Sequence, residues 1–582
     1  MAALGAASGT SQTVAVSGNP SSINLRFYQL NFFGQDEWRI RNNLSLSAGL
    51  RYEYNTPPRE LNRRIESTFN SPLLDQVPNL GRFIEGRTQI FDPDRNNFAP
   101  RVGIAYSPAP FGRNRATVIR AGYGLFYDQI LGAVVSQSRS VYPNFLTVNF
   151  TGGFAGLYSG SPINIVSPAF PNGDTDAVFI QPGTLNTLRP GLTLNDLINQ
   201  LNMAFDVRPG DTRSRFIPQA VDNFLSFTLA SKRLEVPLAH HYNVAFEQQL
   251  SRDIAVSAAY VGTLGRHLLR FNTPNLGPNA FPVVEFFQLV PSPSINGTAL
   301  PPGTRFSPES RVTGFGSGFS NLLGGRPVSG VGTVFRFETT ASSRYDALQL
   351  QLRGRLRRSL QYQASYTSSK ATDDVSDVFD LAGASALPQN SLTFAGERGP
   401  ANFDVRHRFT YNFSYDLPDF RERGNVYRLL FGGLQLAGTG RLQTGQPFTV
   451  NTVYDVNLDG NNTDRLNTTQ GVIVTGDRRQ PLRLTTEAAT NTFSLLAPVG
   501  EDGDIERNTF RAGSVVELDL AIVKNFNFTN SQRLIFRTDI FNFINRANFG
   551  VPVRLLEAPG FGRATETVTP GRRIQFALKY SF

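Results

Sequence analysis

Apolar and polar residues alternate with a period of two along much of the chain. In 572–582, apolar side chains occupy every second position and end in Tyr580 and Phe582, while the positions between them are polar or small. The same alternation runs through 345–367, where leucine or tyrosine opposes glutamine or arginine on both sides of a short basic turn. Because successive side chains of a strand point to opposite faces, the pattern predicts antiparallel hairpins with one apolar and one polar face.

The same pattern predicts thirteen strands in all. Most are about 10 residues long, which at about 3.3 Å per residue and a tilt near 45° crosses roughly 25 Å, the height of the apolar band of an outer-membrane barrel. Many have tyrosine or phenylalanine near their ends, where such a barrel carries its interfacial aromatic residues. The predicted strands lie near 27–39, 42–54, 98–107, 116–128, 239–250, 252–262, 345–356, 360–371, 404–416, 429–445, 515–526, 532–545 and 572–582.

The predicted connections alternate strictly between short and long. Short ones include 251–252, 357–359 and 527–531. Bacterial outer-membrane barrels combine short periplasmic turns with long extracellular loops. If Phe582 ends on the periplasmic side, all six long connections fall on the outside. The pattern therefore predicts an all-β fold, an antiparallel transmembrane barrel in the bacterial outer membrane. The long connections are 55–97, 129–238, 263–344, 372–403, 446–514 and 546–571.

The strand count bears on how the chain begins. The first predicted strand, 27–39, runs toward the periplasm, yet single-chain bacterial barrels usually have even strand numbers. Thirteen strands imply either a missed strand in 1–26 or a truncated start, and we favour truncation. We expect 1–26 to be an irregular segment or the remnant of a preceding strand or loop, and 27–582 to form the C-terminal portion of the barrel.

Composition narrows the class of protein further. The chain has 582 residues, 40% hydrophobic residues and a mean hydropathy of −0.22, and no stretch approaches the about 20 apolar residues of a membrane helix. Its 47 phenylalanines, 18 tyrosines and 52 glycines favour strands and turns. The absence of cysteine excludes disulfides and cysteine nucleophiles. The net charge of +10 comes mainly from scattered arginines with acids nearby, which indicates polar strand faces and predicts no nucleic-acid partner.

Several blocks, in this order, resemble the TonB-dependent outer-membrane receptors, particularly the large Oar-like receptors of acidobacteria. Two of them are FFGQDEWRIRNNLSLSAGLRYEYNTPP (32–58) and FRTDIFNFINRANFGVP (536–552). The resemblance covers most strands from about residue 27 to the end. It implies contact with outer-membrane lipid, and it implies that the barrel assembly machinery recognises Tyr580 and Phe582. The other blocks are 96–108, 117–128, 344–355, 401–418 and 442–450.

The resemblance also implies a function. Receptors of this family capture a scarce ligand on extracellular loops, pass it along polar lumen residues and release it when the energised TonB complex remodels a plug. Neither a plug nor a TonB box is recognisable in this sequence, so the TonB complex is an expected partner only if both are supplied upstream. The ligand stays open between siderophore, oligosaccharide, peptide and cobalamin. The alternatives are a non-transporting surface or adhesin barrel and a soluble β-rich binding protein.

Arginines on the predicted strands are the candidate ligand-binding residues of the lumen. A guanidinium can hold an anion by two parallel hydrogen bonds. The alternative role is ion pairing with lumen acids such as Glu517 and Asp519. The candidates are Arg120, Arg353, Arg355, Arg408 and Arg441.

One predicted loop carries the opening of a calcium-binding sequence. Asp455, Asn457 and Asp459 alternate before a glycine, and Asp464 follows. Alternating oxygen side chains with a glycine turn can surround one hard cation. The twelfth position is Leu466 instead of an acid, so an Asx-rich turn is the alternative. The sequence predicts no other cofactor.

The candidate catalytic residues are few. Of the four histidines, His240 and His241 are adjacent on a predicted strand, so their rings should point to opposite faces. The chain contains no G-x-S-x-G or H-E-x-x-H sequence. We therefore predict that the protein is not an enzyme.

Overall fold

A computed structural model gives the fold of the chain. It describes residues 9–15, 22–71, 81–108, 116–130, 132–138, 145–151, 227–276, 294–295, 298–299, 328, 334–378, 387–418, 424, 426–427, 431–528 and 532–582, leaving out 358, 453–455, 458, 460, 462 and 499.

In the described part of the chain, thirteen long strands form one antiparallel sheet in which each strand pairs with its neighbours in the sequence. The prediction of an all-β antiparallel wall is confirmed, and each of the thirteen predicted strands has a counterpart in it. The strands are β1 Gln29–Arg41, β2 Leu44–Asn55, β3 Phe98–Tyr106, β4 Thr117–Tyr127, β5 Leu238–Ser251, β6 Ile254–Asn272, β7 Val334–Leu356, β8 Leu360–Asp373, β9 His407–Asp416, β10 Leu434–Gln443, β11 Val515–Asn527, β12 Arg533–Phe541 and β13 Arg573–Ser581.

Strands β6 and β7 extend well beyond their predicted ends. They pair from Ile254 and Gly354 at the turn end to Asn272 and Arg336 at the far end. The register shifts on either side of Leu268, in a β-bulge. Such a bulge breaks the period of two, and residues 338–344 of β7 are polar except for Ala341. The alternation of apolar and polar residues therefore covers only part of each strand, and the sequence predicted only that part.

The two faces of the sheet differ as the alternation predicts. Leucines of β7 and the apolar side chains of β13 are exposed, for example 46% for Leu348 and 67% for Phe576. An exposed apolar surface that continues from strand to strand is far larger than soluble proteins tolerate. This face therefore suits contact with lipid, and the opposite, polar face forms the lumen side of the wall.

Aromatic rings on the apolar face lie over glycines of the neighbouring strand. Phe413 in β9 pairs with Gly438 in β10, and a Cβ added to this glycine would lie 2.6 Å from the ring. Tyr242 lies in the same way over Gly262, between β5 and β6. Glycine thus lets the ring lie flat on the backbone and fill the space that a side chain would occupy.

Shorter elements lie in the long connections. Short strands pair as Gly9–Ala15 with Phe145–Thr151, Leu25–Arg26 with Arg59–Glu60, Ser294–Ile295 with Thr298–Ala299, Pro447–Phe448 with Phe510–Arg511, and Val472–Val474 with Leu482–Leu484, while Phe227–Ala230 joins β7 and Gly399–Pro400 joins β8. The helices among the described residues are Arg64–Thr68, Gly81–Ile84, Gly132–Gln137 and Thr486–Thr490, with 3-10 turns at Ala395–Glu397 and Thr492–Leu495. Among the described residues, no helix has the length and apolar character to cross a membrane.

Three long connections fold together into a structured cap, which comprises the described parts of 374–406, 444–514 and 542–572. Its apolar core is drawn from the second and third of these connections. Buried ion pairs then join the first connection to the second, as between Glu397 and Arg465, whose Oε1 and Nη1 atoms are 2.9 Å apart. The core residues are Phe448, Val450, Val456, Leu466, Leu482, Ala488, Leu495, Leu496, Ala497, Phe510 and Leu556.

Candidate functional site

The polar face of the sheet carries all of the candidate lumen arginines. Arg120 lies on β4, Arg353 and Arg355 on β7, Arg408 on β9 and Arg441 on β10. Each occupies the strand position that alternates with the lipid-facing apolar residues. The structure brings them together in two groups, one near the short turns and one beneath the cap.

The first group shares one carboxylate. Glu247 on β5 lies between Arg120 and Arg353, with Oε1 2.5 Å from the Nη2 atom of Arg353 and Oε2 3.7 Å from the Nη1 atom of Arg120. Because two guanidinium groups share one carboxylate, the cluster of these three residues carries a net positive charge. Because both arginine side chains are more than half exposed, these ion pairs stabilise the fold little and can exchange for a ligand.

A cavity of about 690 Å³ adjoins this group, close to the short turns. Its lining includes Arg355 together with the amide side chains of Gln249, Gln361, Gln363 and Asn412. A volume of this size is in the ordinary range for a small-molecule site. Polar side chains outnumber the apolar ones of this lining, which are Val118, Ile254 and two alanines, and this fits a hydrated ligand with several hydrogen-bonding groups.

The second group lies at the wall–cap pocket, a cavity of about 410 Å³ between the polar face of β9 and β10 and the cap. Arg408 donates from Nε to Oε1 of Gln443 at 3.1 Å. Arg441 pairs through Nη2 with Oε2 of Glu517 at 2.8 Å. Arg441 therefore makes an ion pair of the kind predicted as the alternative role, whereas Asp519 accepts a backbone N–H from Asn542. Ligand binding by these arginines stays a prediction.

A third cavity, of about 880 Å³, was not predicted from the sequence. It lies at the bulged ends of β6 and β7, where 85–92 and 231–235 meet them. His267 has a positive φ of 52° at the bulge, and its Nδ1 atom lies 2.5 Å from Oε2 of Glu235. The lining mixes acids and bases from three connections, so no local pattern in the sequence could have revealed it.

The adjacent histidines point to opposite faces, as predicted. His240 has Nδ1 2.8 Å from the hydroxyl of Tyr123 on the apolar face, and His241 has Nδ1 3.1 Å from the hydroxyl of Thr263 on the other. These two histidines therefore cannot bind one metal ion together.

The predicted calcium loop is buried inside the cap. Asn457, Asp459 and Asp464 are at most 5% exposed. Asn457 Oδ1 accepts the N–H of Asp459 at 3.0 Å, and Asp459 Oδ1 accepts the N–H of Asn461 at 2.8 Å, which are contacts of Asx turns. Asp464 Oδ2 accepts the N–H of Val456 at 3.1 Å across the loop. Asp455 lies outside the described residues. Within the described part of the chain no group of three or more acidic or histidine side chains is arranged to hold a metal, and calcium binding stays a prediction.

The acidic residue Glu60 stabilises the first long connection beside β1 and β2 through hydrogen bonds. The buried Glu60 carboxylate accepts the backbone N–H groups of Asn62 and Arg64 at 2.8 and 3.1 Å, and the Arg64 guanidinium at 3.1 Å. Burial raises the pKa of Glu60, but these hydrogen bonds outweigh it and the pKa is lowered overall. Glu60 therefore holds this connection in place as a carboxylate.

The two-faced antiparallel wall, whose end strands β1 and β13 do not pair with each other, is of the kind that membrane barrels are built from, and comparison with known proteins assigns the family. Residues 3–575 match the family described as "Outer membrane beta barrel domain". The chain belongs to this family and is a protein of the outer membrane. The soluble alternative is therefore wrong. The family is defined by a membrane barrel and not by a catalytic domain.

Solved structures of similar fold include the ferripyoverdine receptor of Pseudomonas aeruginosa bound to ferripyoverdine, with 10% identity, a TM-score of 0.38, and coverage of 97% of this chain and 40% of that one. The siderophore receptor PirA from Acinetobacter baumannii has 9% identity, a TM-score of 0.38, and coverage of 96% and 46%. The outer membrane transporter YddB from Escherichia coli has 10% identity, a TM-score of 0.34, and coverage of 96% and 55%. The chain thus spans about half the length of these proteins or less. No curated protein matches it.

Proposed function

We propose that the chain is the barrel portion of an Oar-like TonB-dependent receptor, which takes up a ligand from outside the cell through its polar lumen. In this proposal 27–582 form the barrel, and 1–26 form the segment that precedes it. A plug and a TonB box supplied upstream would couple the barrel to the TonB complex. The ligand class stays open between siderophore, oligosaccharide, peptide and cobalamin.

The arrangement of charge on the polar face carries this proposal. Arginines and glutamines of neighbouring strands form a continuous polar surface, and two cavities adjoin it at different heights of the wall. Glu247 shares its charge between Arg120 and Arg353 in an exposed setting. Such pairs can release a guanidinium to a passing anion at a small free-energy cost. A series of weakly paired cations is what a transport path for an anionic or polar ligand requires.

The last strand supports a further part of the proposal, recognition by the barrel assembly machinery. β13 ends the sheet, and Tyr580 and Phe582 are 51% and 92% exposed. Their rings are stacked with centroids 5.8 Å apart. An exposed aromatic pair at the edge of the sheet is accessible to another protein.

Uptake measurements test the function. Cells lacking the gene, with and without a plasmid copy, would be given labelled ferric siderophores, cobalamin, oligosaccharides and peptides. We expect one class to accumulate only with the protein present, and accumulation to stop when a protonophore dissipates the proton gradient. Uptake that continues after dissipation would show passive diffusion and refute energy-coupled transport.

A second candidate, a surface or adhesin barrel that does not transport, is favoured by the structured cap. The cap has its own apolar core and a buried ion pair between Glu397 and Arg465, so it presents an ordered surface. Labelled compounds or surfaces that bind to the cells through the protein, with no entry of any compound, would support this candidate over transport.

A further inference from the structure

We propose that the wall–cap pocket binds an organic anion that carries a flat apolar group, such as an aromatic carboxylate. This inference rests on the proposed function, since it assigns a ligand class to one site of the receptor. It comes from a single uncompensated cation beside exposed apolar side chains, in a cavity of about 410 Å³.

Arg408 supplies the positive charge. Its Nε atom donates to the neutral amide of Gln443 at 3.1 Å, and in the described structure its guanidinium contacts no carboxylate. The lining contains one acid, Asp404, whose carboxylate already contacts Arg511 and, at 3.0 Å, Arg406. The pocket therefore keeps the charge of Arg408.

Arg441 lines the same side of the pocket as Arg408. Glu517 neutralises it through Nη2. Its Nε atom is buried and, in the residues that the structure describes, has no hydrogen-bond partner. A bound carboxylate can take two parallel hydrogen bonds from a guanidinium, and Arg408 has its terminal nitrogens available for this.

The cap and the start of β11 supply the apolar side. Phe403 is 63% exposed and Val568 is 54% exposed, although both line the pocket together with Phe549 and Val515. Apolar walls with a few placed polar groups are typical of ligand sites. An aromatic ring can cover these side chains, whereas a small inorganic anion cannot.

Asn548 holds the apolar side in position before any ligand arrives. Its side chain accepts the N–H of Val516 at 2.9 Å, donates to the carbonyl of Val516 at 2.8 Å and donates to the hydroxyl of Thr569 at 2.9 Å. These contacts join the segment around Phe549 to β11. A preformed site loses less conformational entropy on binding.

Equilibrium dialysis tests the inference, with the full chain held in an amphipathic polymer so that no micelle takes up the probe. The probes are 2-naphthoate, the uncharged 2-naphthalenemethanol and acetate. The variants are Arg408→Gln, Arg408→Lys and Phe403→Ala. The matched control is Arg537→Gln, because Arg537 also lies on the polar face but lines none of the three cavities described above.

We expect saturable binding of 2-naphthoate alone, unchanged in Arg537→Gln and weakened about tenfold or more in Arg408→Gln, since a hydrogen bond to a charged group is lost. Arg408→Lys should bind between the two, and Phe403→Ala should bind more weakly than the parent. Heat-modifiable gel migration shows that each variant is folded. Equal binding by the parent and Arg408→Gln, or no saturable binding by the parent, would overturn the inference.

The two proposals fail in different ways. Lost energy-coupled uptake together with retained 2-naphthoate binding would refute the transport function and leave the pocket in place. Energy-coupled uptake together with no 2-naphthoate binding would refute only the ligand class.

Discussion

Replacing Arg507 by methionine should open the cap and leave the barrel wall folded. The guanidinium of Arg507 pairs with the carboxylate of Asp373 at the end of β8, and the two side chains are 6% and 2% exposed. It also donates to the Asp373 carbonyl at 2.8 Å, to Oγ of Ser376 at 2.9 Å and to the Glu397 carbonyl at 3.0 Å. Methionine fills much of the volume but leaves a buried carboxylate without its cation.

The size of the effect follows from that burial. Removing one partner of a buried ion pair costs about 3–5 kcal/mol. We expect the lower part of this range, because Ser376 still donates to Asp373 at 2.9 Å. Since about 1.4 kcal/mol changes an equilibrium tenfold, local opening of the cap should increase by about two orders of magnitude or more.

Hydrogen exchange followed by mass spectrometry measures this opening. Peptides covering 387–404 and 500–512 should exchange faster in Arg507→Met, whereas peptides of β6 and β7 should not change. Arg483→Met is the control, because Arg483 is an exposed arginine of the same cap. The double variant Asp373→Asn with Arg507→Met should recover part of the protection, since it removes the buried charge.

Unchanged exchange in the single variant, with heat-modifiable migration intact, would refute the reasoning. It would show that the cap is held by its apolar core and that the buried ion pair contributes nothing measurable. Faster exchange throughout the wall would also contradict the prediction, because it would make the cap and the wall one cooperative unit.

Three further predictions concern other parts of the molecule. Gly438→Ala should destabilise the wall by about 1–3 kcal/mol, because the added Cβ would meet the Phe413 ring. Its heat-modifiable migration should change at a lower temperature than that of the control Gly34→Ala, where the added Cβ meets open space. The lowered pKa of Glu60 stabilises its loop at pH values above the usual pKa of 4.5, and this contribution is lost as the pH falls through the folded-state pKa. Amide protection around Glu60, corrected for the intrinsic exchange rate at each pH, should therefore fall on acidification, and Glu60→Gln should abolish that dependence. Calorimetric titration with calcium should show binding that Asp455→Ala plus Asp459→Ala removes, and no binding by the parent would contradict the calcium prediction.

Most strands of the barrel wall were predictable because the alternation of apolar and polar residues that marks them is a local property of the sequence. Each wall strand faces lipid on one side and the lumen on the other, so alternate residues report their own surroundings. The predicted strand 515–526 and the observed β11, Val515–Asn527, agree to within one residue. The far halves of β6 and β7 were missed because a β-bulge interrupts the alternation there.

For the candidate arginines too, one property was predictable from the sequence and another was not. Their place on the polar face followed from their position in the strand. Their ion-pair partners did not follow from the sequence, since Arg120 and Arg353 both pair with Glu247, which lies on a third strand between them. The cavities were also beyond prediction, because each is lined by residues from several strands or connections.

The sequence by itself determined the order of the strands, the face on which each side chain lies and the short and long connections between strands. These properties depend on neighbours within a few residues. Only the tertiary structure decided that the long connections form a cap, and that Arg507 pairs with Asp373, 134 positions away in the chain. Contacts at such separations depend on how the whole sheet places its strand ends, and no local spacing of residues records that.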